Sequence, residues 1–244
     1  LIDSLLNSWG YASHHYNYWG DILRLNDELQ RRLPATAYNE WIKTCLEENK
    51  PYDRMVYEML AANGKVWDEP AAGYLLRDAG MPLDNMNNTV RIFLGTQIGC
   101  AQCHDHPFDR WTQKEFYELA AFTGSTSTRL APRSFGGRRK FNEIRKDLKE
   151  ITSEYRMEQR AVALMRSNMF AVNDQPRQQL RYPKDYAYDN ARPGQVVEPH
   201  TIFGEEAVIV TGESPREAFA RWLTSPDNPR FATTVANRLW AKCF

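Results

Sequence analysis

The densest chemistry in this 244-residue sequence sits in five consecutive positions, Cys100-Ala101-Gln102-Cys103-His104. Two thiols separated by two residues lie about one helical turn apart, so one turn can present both sulfurs to the same edge of a flat ligand. The imidazole that follows can then turn beneath that ligand. Cys-x-x-Cys-His is the attachment signature of c-type haem: each thiol adds to a porphyrin vinyl group to form a thioether, and the His becomes the proximal iron ligand. The spacing predicts one covalent haem c on Cys100 and Cys103, with His104 on the iron. Ala101 is small and Gln102 polar, and both are compatible with a motif lying flat against a porphyrin.

Three other chemistries compete for the same residues. A thioredoxin-like redox pair expects the motif at the start of a helix after a strand, whereas here a helical pattern precedes it. A structural zinc site needs four ligands. Cys100, Cys103 and His104 or His106 would need Cys45 or Cys243 to complete the set. The plainest alternative is a buried thiol pair beside a surface histidine.

A six-coordinate haem iron takes a second axial ligand, normally His or Met. His106 lies too close in sequence to His104 to reach the opposite face of the ring. Its candidate roles are a propionate contact, an orienting contact to His104, ligation of another metal, or a turn residue ahead of Pro107. His14 and His15, on a helix with Tyr11, Tyr16, Tyr18 and Trp19, are the nearby distal candidates. Helix neighbours diverge by about 100°, so only one of them can face the iron, and His15 shares a face with Trp19 and Ile22. His200 sits on a loop. Met55, Met59, Met81, Met86, Met157, Met165 and Met169 also carry suitable sulfurs, although Met165 and Met169 read as packing residues. The distal ligand stays open at this point. An open distal position suits gas binding or peroxide chemistry, whereas two strong ligands suit electron transfer.

The elements that must hold this motif read mostly as helices. Residues 1–33 show apolar faces at steps of three and four, as one broken helix or two, weakened at Gly10 and Gly20 and stopped by Pro34. Tyr38, Trp41, Ile42 and Cys45 line a second helix. Pro51 opens a third, with Met55, Val56, Met59 and Leu60 on one side. Residues 65–83 are looser. Asn87-Asn88-Thr89 offer caps for a helix through Val90, Phe93 and Ile98 that runs straight into the cysteines. Thr112-Gln113-Lys114-Glu115 is a capping box for the next helix.

Beyond the loop 124–137 lies the longest regular pattern. Phe141, Leu148, Tyr155, Val162 and Met169 recur every seven residues, with Ile144, Ile151 and Met165 in the partner positions and Glu158 interrupting them. This a/d seam predicts one long helix over 138–172 and a homodimer built on it, in which Glu158 sets the register. Residues 176–213 are broken by Pro and Gly, and 195–198 and 207–210 are their best strand candidates. Ser214-Pro215-Arg216-Glu217 begins another helix, a turn follows at 225–229, and a final helix runs to Phe244.

Lys plus Arg total 31 and Asp plus Glu total 31, so the formal charge is zero. This balance argues against a nucleic-acid or polybasic membrane surface, which calls for a cationic excess. No apolar run approaches membrane-spanning length. Leu1 opens directly into an amphipathic pattern, so no signal peptide is expected within these residues, any export signal having been trimmed off or lying outside them. Hydrophobic residues at 42% and seven Trp exclude a disordered chain, and four Cys are too few for a disulfide scaffold. Cys45 and Cys243 read either as a pair or as small buried hydrophobes.

The run from Phe93 to Phe122, through Gly99-Cys100-Ala101-Gln102-Cys103-His104-Asp105-His106-Pro107-Phe108-Asp109-Arg110-Trp111 and Ala120-Ala121-Phe122, resembles the central block of the planctomycete-specific cytochrome-like domain. Members of that family are exported and mostly without assigned function. Asn49-Lys50-Pro51-Tyr52-Asp53-Arg54, Arg77-Asp78, Pro193-Gly194-Gln195-Val196-Val197 and Phe203-Gly204 resemble its other parts. Residues 222–231 and Asn237-Arg238-Leu239-Trp240 are similar to the start of the domain that usually follows. Larger members often add an N-terminal cytochrome-c-like domain and a longer C-terminal one. Haem c is attached outside the bacterial cytoplasm, so the resemblance implies a periplasmic or otherwise exported location.

The expected fold is mainly α: an irregular helical domain around a c-type haem, with a long coiled-coil-like helix and a small β/loop-rich section. The expected division is a haem-attachment domain over 1–137, the heptad helix over 138–172, a loop and short-strand section over 173–213, and the truncated helical start of a following domain over 214–244. The expected activity is non-enzymatic electron transfer with an unidentified redox partner. A haem-based sensor or interaction module and a zinc-stapled domain without haem are the alternatives.

Overall fold

The computed structural model describes residues 1–129, 142–143, 146–147 and 170–244. Helices dominate these residues, and strands occur only as short pairs. Helix α1 (Ile2–Leu6) is separated from α2 (Trp9–Leu23) at Asn7-Ser8, where the Ser8 hydroxyl accepts the Tyr11 N–H at 3.2 Å. Gly10 and Gly20 lie inside α2 and break nothing. The helix ends well before Pro34 because Arg24 turns left-handed at φ 58°. Residues 28–34 then form a small hairpin, β1 (Glu28–Leu29) against β2 (Leu33–Pro34), instead of more helix. Leu29 and Leu33 anchor it by entering the core.

Helices α3 (Thr36–Glu47) and α4 (Tyr52–Ala61) match the expected apolar stripes. Tyr38, Ile42 and Cys45 are buried on one, and Met55, Val56, Met59 and Leu60 on the other. The looser section holds a 3-10 turn over Pro70–Ala72 and the short α5 (Gly73–Leu76).

Helix α6 (Pro82–Phe93) corrects the expected start at Asn87. Pro82 begins the helix, where its missing N–H costs nothing. The asparagines meant as caps lie inside it. Asn85 donates to Asp78, and the Thr89 hydroxyl pairs with the Tyr74 hydroxyl at 2.8 Å. Of the residues read as caps, Asn88 donates to the Asp84 carbonyl one turn back in the same helix and Thr89 meets Tyr74, so neither is needed at a helix end. The helix also stops at Leu94 and does not run into the cysteines.

Helix α7 (Gln113–Ala121) and helix α8 (Pro215–Leu223) both start with complete capping boxes, Thr112 with Glu115 and Ser214 with Glu217. Helix α9 (Phe231–Cys243) follows. Strand β3 (Thr126–Ser127) pairs antiparallel with β4 (Asn173–Asp174), Thr126 opposite Asp174. Of the two strand candidates in 176–213, one contributes a single bridge, Val196 to Arg181, and residues 207–210 form no strand. Ala207 packs against the core, but Val208, Ile209 and Val210 are exposed.

Most of the heptad pattern over 138–172, with its dimer and Glu158, lies outside the described residues. Its last three positions are described and are not helical, since Val172 pairs with Gly64 as a β-bridge. Helix α8 packs on α4 and α9 on α6, and α2 to α9 contribute to one hydrophobic core. Among the described residues, no helix is long and apolar enough to cross a membrane.

Candidate functional site

The cysteine motif occupies a 3-10 turn, Gly99–Gln102, wedged between the end of α6 and the start of α7. Its anchors point inward: Ile98 and Ala101 are buried in the core. Gly99 leaves room for the Asn87 amide, which would lie 3.0 Å from a Cβ at that position. Backbone bonds from Cys103 and His104 N–H to the Cys100 carbonyl, at 3.2 and 3.3 Å, close the turn. With the apolar residues facing in, Cys100 and Cys103 are left exposed on the outside, both as free thiols.

His104 is exposed beside them, and its Nδ1 lies 2.7 Å from the Asp105 carbonyl oxygen. A carbonyl can only accept, so Nδ1 carries the proton in this contact, the tautomer that leaves the lone pair of a neutral ring on Nε2. That is the state a metal-ligating imidazole needs.

Asp105 is itself held at two further points. Its N–H donates to the Tyr188 hydroxyl at 2.7 Å, and its Oδ1 accepts the Gln113 N–H at 2.8 Å in the first turn of α7. The buried Gln113 side chain also donates to the Gln102 carbonyl at 3.2 Å. Tyr188 belongs to a ladder of rings, Tyr117–Tyr182–Tyr186–Tyr188, with successive centroids 5.9, 4.8 and 5.6 Å apart. Burial raises the Tyr117 hydroxyl above its ordinary pKa, with the Cys103 thiol adding to it. Burial, Glu118 and Tyr186 push Tyr182 up to about 12.

The hydrogen bonds of His106 run to residues other than His104. The His106 N–H donates to the Trp111 carbonyl at 2.7 Å, and its Nδ1 accepts the Phe108 N–H at 3.2 Å. These bonds make it a turn residue ahead of Pro107, in a loop closed by Trp111 Nε1 on Asp109 at 3.1 Å. Phe108 stands at its tip, 94% exposed.

The distal candidates lie in other surroundings. His15 packs on Tyr11 at 4.2 Å and lines a cleft of about 370 Å³ between α2, the α3–α4 turn and α9, whose walls include no residue of the cysteine motif. Burial lowers the His15 pKa, with the charges of His14 and Lys242 adding to it. The His14 ring is 5.8 Å from that of His15. His200 is exposed, with its Nδ1 3.5 Å from Glu206. Met55, Met59 and Met86 are core residues and Met81 is exposed. Met157, Met165 and Met169 lie outside the described residues. Cys45 is buried, Cys243 is exposed, and neither forms a disulfide. Among the described residues, no three His, Cys, Asp or Glu side chains converge to hold a metal ion.

Tyr188 and Gln113 were invisible as site residues in the sequence. The capping box marked the start of α7, but nothing local connects position 188 to position 105.

A family model described as "PSCyt2: Protein of unknown function (DUF1549)" matches residues 1–128, a span that contains the cysteine motif. No curated protein and no solved structure matches the chain.

Proposed function

The chain belongs to the PSCyt2 family of proteins of unknown function (DUF1549), a planctomycete cytochrome-like domain family, and from that premise we propose that it is a c-type cytochrome domain. The observation that carries the proposal is the division of labour on one turn. Two free thiols are exposed, and the adjacent exposed imidazole has its Nδ1 committed to the Asp105 carbonyl, which leaves Nε2 as the nitrogen able to ligate. This donor set fits a porphyrin better than a bare ion. Among the described residues, the two sulfurs are not gathered with other ligands around one point, as zinc requires. Both are accessible to a large planar partner, while Ile98 and Ala101 hold the turn from below.

Cys100 and Cys103 would hold the haem as thioethers, and His104 Nε2 would bind its iron. A bound haem supplies a one-electron iron couple. The chain's own share of the work is to fix the imidazole and tune the couple. Electron transfer outside the cytoplasm is the function these features support best, because haem c is attached there.

The test is production in a host carrying the c-type maturation apparatus. The expected product is red, one haem heavier, and keeps its Soret band through acid–acetone extraction. The double variant C100A/C103A is expected to lose that covalent colour. Low-spin spectra in both oxidation states support electron transfer, whereas a high-spin spectrum that shifts with carbon monoxide redirects the reading to a sensor. A colourless product with free thiols overturns the proposal.

A further inference from the structure

We infer that Tyr188, acting through Asp105, is a positioning residue for the His104 imidazole. Its contacts run in series. The Tyr188 hydroxyl accepts the Asp105 N–H at 2.7 Å, and the carbonyl of the same Asp105 accepts His104 Nδ1–H at 2.7 Å. Asp105 thus stands between a tyrosine 83 residues away and the ring beside it. The inference rests on the proposed haem site for its consequence at the iron, but the hydrogen bonds belong to the chain alone.

The geometry is over-determined at Asp105, and this separates the contact from ordinary loop packing. Its N–H is taken by Tyr188 and its carboxylate by the Gln113 N–H at the start of α7, where the helix dipole favours an anion. The peptide unit that carries the carbonyl also carries the His106 N–H, which donates to the Trp111 carbonyl at 2.7 Å, so with Tyr188 on the preceding peptide unit and Gln113 on the carboxylate the carbonyl has little freedom to rotate. A single bond from the backbone would leave a surface imidazole free to flip, so the orientation of His104 depends on how firmly that carbonyl is held.

Tyr188 is braced in turn. Its ring meets Tyr186 at 5.6 Å, and the Tyr186 hydroxyl donates to Asn190 Oδ1 at 2.6 Å. Tyr186 therefore supports the ladder but makes no hydrogen bond to Asp105. The two neighbouring tyrosines make different predictions for the same substitution. Removing the Tyr188 hydroxyl takes away the acceptor for the Asp105 N–H, whereas removing that of Tyr186 leaves it in place.

The consequence at a bound iron follows from the imidazole's electronics. A firm Nδ1–H bond to a carbonyl raises the basicity of the ligating nitrogen and favours the ferric state. Loosening that bond raises the midpoint potential.

The test compares wild type, Tyr188→Phe and Tyr186→Phe as the full chain, first without haem. Nitrogen-15 NMR of the imidazole is expected to show the Nδ1–H tautomer at His104 in the wild type. Hydrogen exchange at the Asp105 amide is expected to quicken by about tenfold in Tyr188→Phe and to stay unchanged in Tyr186→Phe. In the haem-loaded chains, Tyr188→Phe is expected to raise the midpoint potential while retaining the covalent haem, and Tyr186→Phe to leave the potential alone. An Nε2–H tautomer in the wild type overturns the inference, as does equal loosening of Asp105 in both variants or an unmoved amide in Tyr188→Phe. If no haem is taken up, the cytochrome reading fails, and the NMR comparison still decides the clamp.

Discussion

Arg216 grips Asp174 with two nitrogens, Nη2 at 2.7 Å from Oδ2 and Nε at 3.2 Å from Oδ1. The arginine is only 1% exposed. Its remaining nitrogen, Nη1, donates to the Leu60 and Ala62 carbonyls at 2.7 and 2.8 Å, at the C-terminal end of α4. One guanidinium thus ties α8 to β4 and caps α4. A planar fork with five donors can do this, and an ammonium cannot. Breaking a buried pair from one side leaves an unmatched charge, at a cost of about 3–5 kcal/mol. Arg216→Met is therefore expected to destabilise the chain by that order, and Arg216→Lys to recover only part of it. Urea unfolding monitored by tryptophan fluorescence measures both.

The two capping boxes give a smaller effect with a sharper control. Thr112→Ala and Ser214→Ala each remove the oxygen that accepts the N–H of the third helical residue, at 3.2 Å in both helices. Each is expected to cost about 1 kcal/mol, and the exchange Thr112→Ser to cost little. Thr112→Ala has a further consequence, because α7 begins with the Gln113 N–H that holds Asp105. Hydrogen exchange at the Gln113 amide is expected to quicken in Thr112→Ala and not in Ser214→Ala.

The difference between what the sequence made legible and what it hid follows the range of the interactions. Thr112 with Glu115, Ser214 with Glu217, and Pro51 ahead of α4 are decided within a few residues, and all were readable. So was the cysteine motif, whose five positions are contiguous. Asn87 to Thr89 looked like caps because free asparagines and threonines compete for helix ends. Thr89 instead meets Tyr74 across 15 residues, which only the packed fold brings about. The apolar run at 207–210 looked like a strand, but a strand needs a neighbour and these residues have none. Tyr188 was hidden for the same reason: its partner lies in another part of the chain.

The pH dependence of stability is expected to carry a mark of His15. Burial, with His14 and Lys242, lowers its pKa below the ordinary 6.5, so the unfolded chain takes up its proton first as pH falls. The sign follows from linkage: the His15 contribution is complete above about pH 6.5, and it is lost as pH falls from there toward the lowered folded value. The substitution His15→Gln removes that titration. Urea midpoints compared at pH 7.5 and pH 5.5 are expected to fall less in this variant than in the wild type. An equal fall in both locates the acid sensitivity elsewhere.

Gly73 and Tyr38 provide a test in which intrinsic preference and packing point in opposite directions. Gly73 sits at φ −54°, ordinary helical backbone, so its conformation makes no demand for glycine. In an open helix, replacing it by alanine would stabilise by roughly 1 kcal/mol. Here the added methyl would overlap the Tyr38 ring, which is fully buried and has its hydroxyl 3.4 Å from the Met59 sulfur. The ring has no solvent-facing side toward which to move, and forcing extra atoms into a filled core costs about 1–3 kcal/mol. Gly73→Ala is therefore expected to destabilise. Tyr38→Leu is expected to destabilise as well, by opening a cavity. The double variant is expected to lose about the sum of the two, because leucine keeps the Cβ and Cγ that the methyl would meet. A double variant that loses clearly less than the sum in unfolding free energy would show that α5 packs on α3 in some other way.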